Sequence, residues 1–249
     1  MPPGSLTVVG TGYRVAGHVT LEARAHMEQA DKLLYLVGDP VSETWIRDLN
    51  GTAESLEDCY AKGKPREVSY REMVERVLGY VRQGLDVTAA FYGHPGIFAD
   101  PTHTAIRLAR KQGYRAVLLP GISAEDCLFA DLDLDPADRG WQSYEATDFL
   151  NRRPRFDPRC GLVLWQIGVI GEGSIAQTAN REGLRELVRA LLRHYSRDHR
   201  VVVYEASSYP VCDPVVERLP LRRLSEEDVS VMATLYVPPQ RRRRPRSRA

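Results

Sequence analysis

Apolar residues in this chain come in short runs, separated by stretches whose apolar positions recur every three or four residues. Residues 5–10 (Ser-Leu-Thr-Val-Val-Gly), 32–37 (Lys-Leu-Leu-Tyr-Leu-Val), 87–91 and 114–119 are four such runs, each short and apolar enough to predict a buried strand. The segments between them predict helices. One covers 21–30 with Leu21, Ala25 and Met27 turned inward, and a short one covers 42–49. A third runs from a Ser69 cap to Gln83, with Met73, Val74, Val77 and Val81 at helical spacing. A fourth covers 105–112, with Thr102 or Thr104 as its cap. Pro120-Gly121-Ile122-Ser123 then turns into a further helix, where Ser123 is a natural N-cap with Asp126 three residues on. Strand–helix alternation of this kind implies a mainly parallel sheet.

The second half is less regular. Residues 151–160 read as a loop, 162–167 and 201–204 as strands, 183–195 as an amphipathic helix, and 231–237 as a last strand halted by Pro238 and Pro239. Residues 219–224 predict an edge element, because Pro220 cannot donate to a ladder. More strand and looser alternation predict a mixed sheet here. The pattern is that of an α/β protein, mainly parallel in its first half and mixed in its second, followed by an Arg-rich tail over 240–249 expected to be disordered.

The most informative turn lies within residues 91–104, Phe-Tyr-Gly-His-Pro-Gly-Ile-Phe-Ala-Asp-Pro-Thr-His-Thr. Gly93, Pro95 and Gly96 force a sharp change of direction, since Gly tolerates positive φ and Pro fixes φ. A strand ending in a small-residue turn before a helix is where open α/β sheets bind ligands. Tyr92 and His94 sit on that turn, although local pattern alone also permits a tight loop with an incidental Tyr and His. A second glycine turn, Gly10-Thr11-Gly12, resembles part of a dinucleotide fingerprint. The third glycine is absent, since position 15 is Val, and only Asp39 follows the second strand as an acid. No NAD site is expected, and these glycines instead let the backbone approach a ligand or a neighbouring loop.

Composition narrows the class. The chain has 249 residues, 43% hydrophobic and 27% charged, which is ordinary for a globular protein with a substantial core. No apolar run approaches the length of a membrane span, and Met-Pro-Pro-Gly-Ser lacks a signal-peptide pattern, so a cytoplasmic enzyme without a membrane partner is expected. Cys59, Cys127, Cys160 and Cys212 are scattered, which argues against structural zinc and for free thiols. His94 and His103 have no carboxylate at ligand spacing, so no metal is expected. The formal charge is +1, and residues 241–249 hold six Arg and no acid, so the remainder carries +1 minus 6, or −5. Such a run reads as a solvated tail, and a nucleic-acid partner is not expected from it.

The polar stretch 57–70 holds Tyr60, Arg66 and Tyr70 in a loop and first helical turn, where function concentrates. By pattern alone a solvated loop is the better explanation. A family resemblance changes its weight. Val8-Val9-Gly10-Thr11-Gly12, Tyr92-Gly93-His94-Pro95-Gly96 and Pro120-Gly121-Ile122-Ser123 resemble the tetrapyrrole-methylase fold. Within it, Phe91–Phe98, Pro101-Thr102-His103, the run 113–117, the run 120–128 and Tyr144-Glu145-Ala146-Thr147-Asp148 resemble the borosin peptide α-N-methyltransferases, over residues 5 to 239. The resemblance implies two α/β domains with S-adenosylmethionine in the cleft between them, 1–119 carrying the catalytic loop and 120–239 completing the cofactor site. It implies iterative methylation of backbone amides in a ribosomal precursor peptide. It also implies an intertwined homodimer, or a heterotetramer with the precursor.

By the same resemblance Tyr60, Arg66 and Tyr70 match the family's catalytic Tyr–Arg–Tyr set in type and spacing, and Tyr92 its further active-site Tyr. The cofactor is placed against Tyr92, His94, Ile97, Asp100, Ser123, Ala124, Gln166, Ala206, Ala233 and Thr234, of which Asp100 and Ala233 depart from the family's usual residues. Fused members carry the substrate as a C-terminal extension. Residues 241–249 contain no run of Val, Ile or Gly, so the chain resembles a split, bacterial-type enzyme acting on a separate precursor. The alternative is a small-molecule methyltransferase of the same fold, acting on a precorrin-like tetrapyrrole.

The chemistry suits these residue types. A peptide N–H is a poor nucleophile because its lone pair is delocalised into the carbonyl. Methylation requires loosening that proton while an imidate-like oxygen gains negative charge. A tyrosine phenol, with an ordinary pKa of about 10, is a weak base unless a cation favours its phenolate. The expected roles are Tyr70 as general base, Arg66 as electrostatic stabiliser, and Tyr60 and Tyr92 as orienting hydrogen bonders.

Overall fold

The computed structural model describes residues 3–14, 16–173 and 178–240, and these divide into two compact units. The Arg-rich run 241–249 lies outside the described residues. The first unit contains residues up to Cys127 together with Gly173 and Ala206–Asp213. Its elements alternate as strand β1 (Ser5–Gly10), helix α1 (Leu21–Gln29), β2 (Lys32–Leu36), α2 (Pro40–Leu49), β3 (Glu54–Ser55), α3 (Arg66–Arg82), β4 (Asp86–Phe91), α4 (Asp100–Lys111) and β5 (Arg115–Leu118). Helix α5 (Ala124–Asp131) begins in this unit. The strands form a parallel sheet in the order β3-β2-β4-β1-β5.

Because successive strand residues face opposite sides, each strand contributes to two cores. Val9, Leu33, Tyr35 and Ala90 pack with Ala23 and Met27 of α1 and Ile46 of α2. Leu6, Val8, Leu34, Val87, Ala89 and Phe91 pack on the other side with Met73, Val77 and Val81 of α3 and Ala105 and Ala109 of α4. Burial on both faces is why these strands read as continuous apolar runs.

The second unit contains Leu128–Glu172 as described, 178–205 and 214–240. It comprises α6 (Pro136–Arg139), β6 (Trp141–Glu145), α7 (Ala146–Arg152), β7 (Gly161–Trp165), α8 (Arg181–Leu191), β8 (Arg200–Glu205), β9 (Val215–Pro220) and β10 (Thr234–Val237). Its sheet has the order β6-β7-β10-β8-β9, parallel only between β6 and β7. Leu162, Leu164, Val201, Val203 and Leu235 pack against Phe149 of α7 and Leu184, Leu187 and Leu191 of α8. One parallel sheet and one mixed sheet are the fold class expected from the pattern.

Several local expectations are corrected. Leu21 is 87% exposed, and Ala23 and Met27 are the buried residues of α1. Helix α3 starts at Arg66 rather than after Ser69, because Pro65 sets the turn and its carbonyl accepts from Val68 and Ser69. Helix α4 starts at Asp100, so neither Thr102 nor Thr104 caps it. Thr102 is instead buried inside the first turn, its hydroxyl donating to Pro95 O (2.5 Å) and Ala99 O (2.7 Å). The edge strand is 215–220, with residues 221–223 a 3₁₀ turn, and the last strand is only 234–237. Strand β6 and helix α7 are not predicted by the hydrophobic pattern.

The ends of β1 and β4 meet as bare backbone. Gly12 and Gly93 form an antiparallel bridge, N–H to O in both directions at 3.2 and 2.9 Å, and both have positive φ. A Cβ at Gly10 would stand 2.4 Å from Gly93 O and 2.7 Å from Pro95 Cδ. The turn glycines therefore serve close approach of neighbouring loops. Gly10→Ala should lower stability by about 1–3 kcal/mol through overpacking, whereas Gly38→Ala, with nothing within 4 Å, should be near neutral; thermal unfolding of both checks this. Thr102→Val should cost about 1–3 kcal/mol by leaving a buried carbonyl short of a donor, read from the same unfolding midpoints.

Candidate active site

Tyr60 is placed by a 3₁₀ turn, Glu57–Cys59, whose Cys59 side chain is buried in the core while Tyr60 N donates to Glu57 O at 2.9 Å. Gly63, at φ +76, and Pro65 then redirect the chain into α3. Arg66 is the first residue of that helix, and Tyr70 lies one turn on, so the two share a face. The Arg66 backbone N–H donates to Gly173 O at 3.4 Å. The Tyr60 and Tyr70 rings meet edge to face, with centroids 6.5 Å apart and planes at 73°.

Tyr92 follows β4 directly, its N–H bonded to Leu36 O. Electrostatics tie it to the others. The Tyr60 pKa is pushed well above the ordinary phenol range, first by burial, then by the charges of Tyr70 and Tyr92 and a hydrogen bond with Tyr70, with Arg66 opposing. The Tyr92 pKa is also raised, first by desolvation, then by Tyr70, again with Arg66 opposing. Tyr92 exposes 48% of its surface, which sits oddly beside a desolvation shift. An accessible phenol can still be surrounded by low-polarity protein, and it is that surrounding mass which disfavours its charge. Three phenols and one guanidinium thus form a single electrostatic group in the first unit.

The turn after Tyr92 is cross-braced. His94 Nδ1 accepts from Gly96 N at 2.9 Å, and Ile97 N donates to His94 O at 3.2 Å. His103 Nε2 donates to Gly96 O at 2.9 Å, so both histidines are engaged by the turn itself. Ile97 and Phe98 are left 39% and 53% exposed, Phe98 with a left-handed φ of 51°. Asp100 opens α4 as an exposed acid. Ser123 forms the expected capping box: its Oγ accepts from Asp126 N, and its own N–H and hydroxyl bond Asp126 Oδ2 at 2.7 and 2.6 Å. Ala124 is the first residue of α5, and Ala206 opens the segment Ala206–Asp213, which Tyr209 fastens by donating to Asp39 Oδ1 at 3.2 Å.

In the second unit Gln166, at φ 58°, separates β7 from a 3₁₀ turn over Ile167–Val169. Ile167 N donates to Ala233 O at 3.0 Å, which brings Gln166 beside Ala233 and the buried Thr234. Among the described residues, no three His, Cys, Asp or Glu converge as a metal site, and no helix is long and apolar enough to cross a membrane. Pattern reasoning missed Asp58 and Arg76, whose ion pair braces the Tyr60 turn. The available signal was Arg76 at helical spacing between Met73 and Tyr80, a charge on an otherwise inward-facing stripe.

Comparison with known proteins fits this architecture. The family model for tetrapyrrole (corrin/porphyrin) methylases matches residues 5–224. The methyltransferase/ribosomally synthesized cyclic peptide gymnopeptides precursor of Gymnopus fusipes is 41% identical over 242 residues, 95% of this chain and 58% of the relative. The corresponding omphalotin A precursor of Omphalotus olearius is 42% identical over 247 residues, 96% of this chain and 59% of the relative. The chain thus spans about three-fifths of the length of these curated relatives. The uroporphyrin-III-C-methyltransferase structure from Thermus thermophilus shares the fold at TM-score 0.66 and 19% identity, covering 94% of this chain and 92% of that one. The chain therefore belongs to the tetrapyrrole (corrin/porphyrin) methylase family of methyltransferase enzymes.

Proposed function

We propose that this protein is a borosin-type enzyme that methylates backbone amide nitrogens of a ribosomal precursor peptide, using S-adenosylmethionine. The observation that carries the reading is the group of three phenols around one arginine, Tyr60, Tyr70 and Tyr92 with Arg66. Support also comes from relatives whose names couple a methyltransferase to a cyclic-peptide precursor. An amide nitrogen needs a base and an anion stabiliser held together, and a phenol–guanidinium group supplies both.

Where bound, the cofactor supplies an electrophilic methyl group on a positively charged sulfur. The residues after β4 fit such a group: exposed Ile97 and Phe98 offer apolar surface for a purine and thioether, and Asp100 offers a carboxylate. For Ser123, Ala124, Gln166, Ala206, Ala233 and Thr234 the cofactor role rests on the family resemblance alone, and the Ser123 hydroxyl already serves its own helix. In the proposed mechanism Tyr70 accepts the amide proton. Tyr60 and Tyr92, whose raised pKa values keep them protonated, donate hydrogen bonds and orient the peptide. Arg66 faces the carbonyl oxygen as it gains imidate character. Holding amide and methyl donor in line supplies much of the remaining acceleration.

The relatives' names join a methyltransferase to a precursor peptide, and we propose that this protein also methylates such a peptide when it is supplied as a separate molecule. Incubation with such a peptide and S-adenosylmethionine should give successive mass gains of one methyl group. Tyr70→Phe should cut that rate about 10²-fold or more, as expected for loss of a general base; undiminished turnover would reject the assignment. Arg66→Ala should lose about 10²-fold in rate while cofactor affinity, read by calorimetry, stays unchanged; lost affinity would move Arg66 to the cofactor.

A further inference from the structure

We propose that Asp58 and Arg76 are positioning residues of the active site, their ion pair holding the Tyr60 phenol against Tyr70. The inference rests on the reading of Tyr60 and Tyr70 as active-site groups. Tyr60 is carried by a three-residue turn with no side-chain cap, which by itself is a weak support. What fixes the turn is a set of bonds to α3, the helix that bears Tyr70. Arg76 binds Asp58 through both nitrogens, Nη1 to Oδ1 at 2.7 Å and Nη2 to Oδ2 at 2.9 Å. The same guanidinium donates to Ser55 O at 3.2 Å and lies 3.5 Å from Glu54 Oε1. One side chain therefore joins β3, the turn and α3.

A second brace completes the hold. Lys64 Nζ donates to Cys59 O at 2.7 Å and pairs with Glu72 of α3. The residues immediately before Tyr60 are thus fixed from two directions. A bidentate guanidinium–carboxylate pair sets orientation as well as distance, which a lysine cannot reproduce. Exposed pairs contribute little to stability, and Asp58 is 65% exposed, so global folding is not what this pair governs. The Asp58 pKa is lowered, by the Arg76 hydrogen bond above all, so the pair is intact above the ordinary carboxylate range and is lost as pH falls through the lowered value.

The test is a double-mutant cycle with an independent spectroscopic arm. Arg76→Met, Arg76→Lys and Asp58→Asn are made in the wild-type and Tyr60→Phe backgrounds, and kcat and KM for peptide methylation are measured. In parallel, ¹³Cζ-tyrosine NMR titration follows Tyr60 in the protein without ligand. Arg76→Met and Asp58→Asn should lower kcat about tenfold with little change in cofactor KM, Arg76→Lys should retain part of the rate, and all three effects should vanish beside Tyr60→Phe. The Tyr60 resonance should titrate nearer the ordinary phenol value of about 10 in Arg76→Met. Equal losses in both backgrounds, or an unchanged Tyr60 titration, would overturn the proposal. If Arg76→Met does not fold, Asp58→Asn at the exposed partner carries the same measurements. A wild-type protein inactive on every peptide would reject the proposed function, while the Tyr60 titration still decides the clamp.

Discussion

No side chain fits at position 10 without displacing its neighbours. The end of β1 lies so close to the turn after β4 that a methyl group there would meet Gly93 O at 2.4 Å, and the two loops instead bond backbone to backbone through Gly12 and Gly93. Gly121 packs into the same place, its virtual Cβ 3.1 Å from Pro95 and 3.4 Å from Gly10. Three parallel strands thus end in one closely packed set of turns. That constraint fixes the direction in which Tyr92 leaves the sheet, and with it the apolar surface of Ile97 and Phe98. Thr102 and His103, reaching back from α4 to Pro95 and Gly96, hold the far side of the turn.

The other half of the candidate chemistry is carried by the β3–α3 region, and electrostatics relate the two. Three phenols close together cannot ionise independently, because each phenolate raises the cost of the next. Burial and the Tyr70 charge act in the same direction on Tyr60 and Tyr92, which keeps those two as donors. Arg66, always cationic, opposes the shift at both. In the proposed mechanism the division of labour among these chemically identical side chains follows from position alone, which is why the geometry of the Tyr60 turn matters as much as its composition.

The strands of the first unit were legible because both of their faces are buried, leaving uninterrupted apolar runs such as Leu6–Val9 and Val87–Phe91. Helix starts were less so. Pro65 and Ala99 open α3 and α4 without a side-chain cap, whereas Ser69, Thr102 and Thr104 look like caps and are not. Leu21 misled because an apolar residue in the first turn need not face the core. Strand β6, Trp-Gln-Ser-Tyr-Glu, has too polar a composition to announce a strand, and pairs on one side only, at a sheet edge. The Tyr60–Arg66–Tyr70 spacing gained meaning only through family resemblance, since a solvated loop has the same composition. Asp58 and Arg76 stand 18 positions apart in the chain and no local pattern links them.

The reaction is defined by which atom of which substrate receives the methyl group. Tandem mass fragmentation of a Val- and Ile-rich peptide, after incubation with the protein and S-adenosylmethionine, decides it most directly. Methyl groups are expected on backbone nitrogens within the peptide, added in steps. Methyl groups confined to side chains or termini, or an unmodified peptide beside a methylated tetrapyrrole in the same reaction, would contradict it.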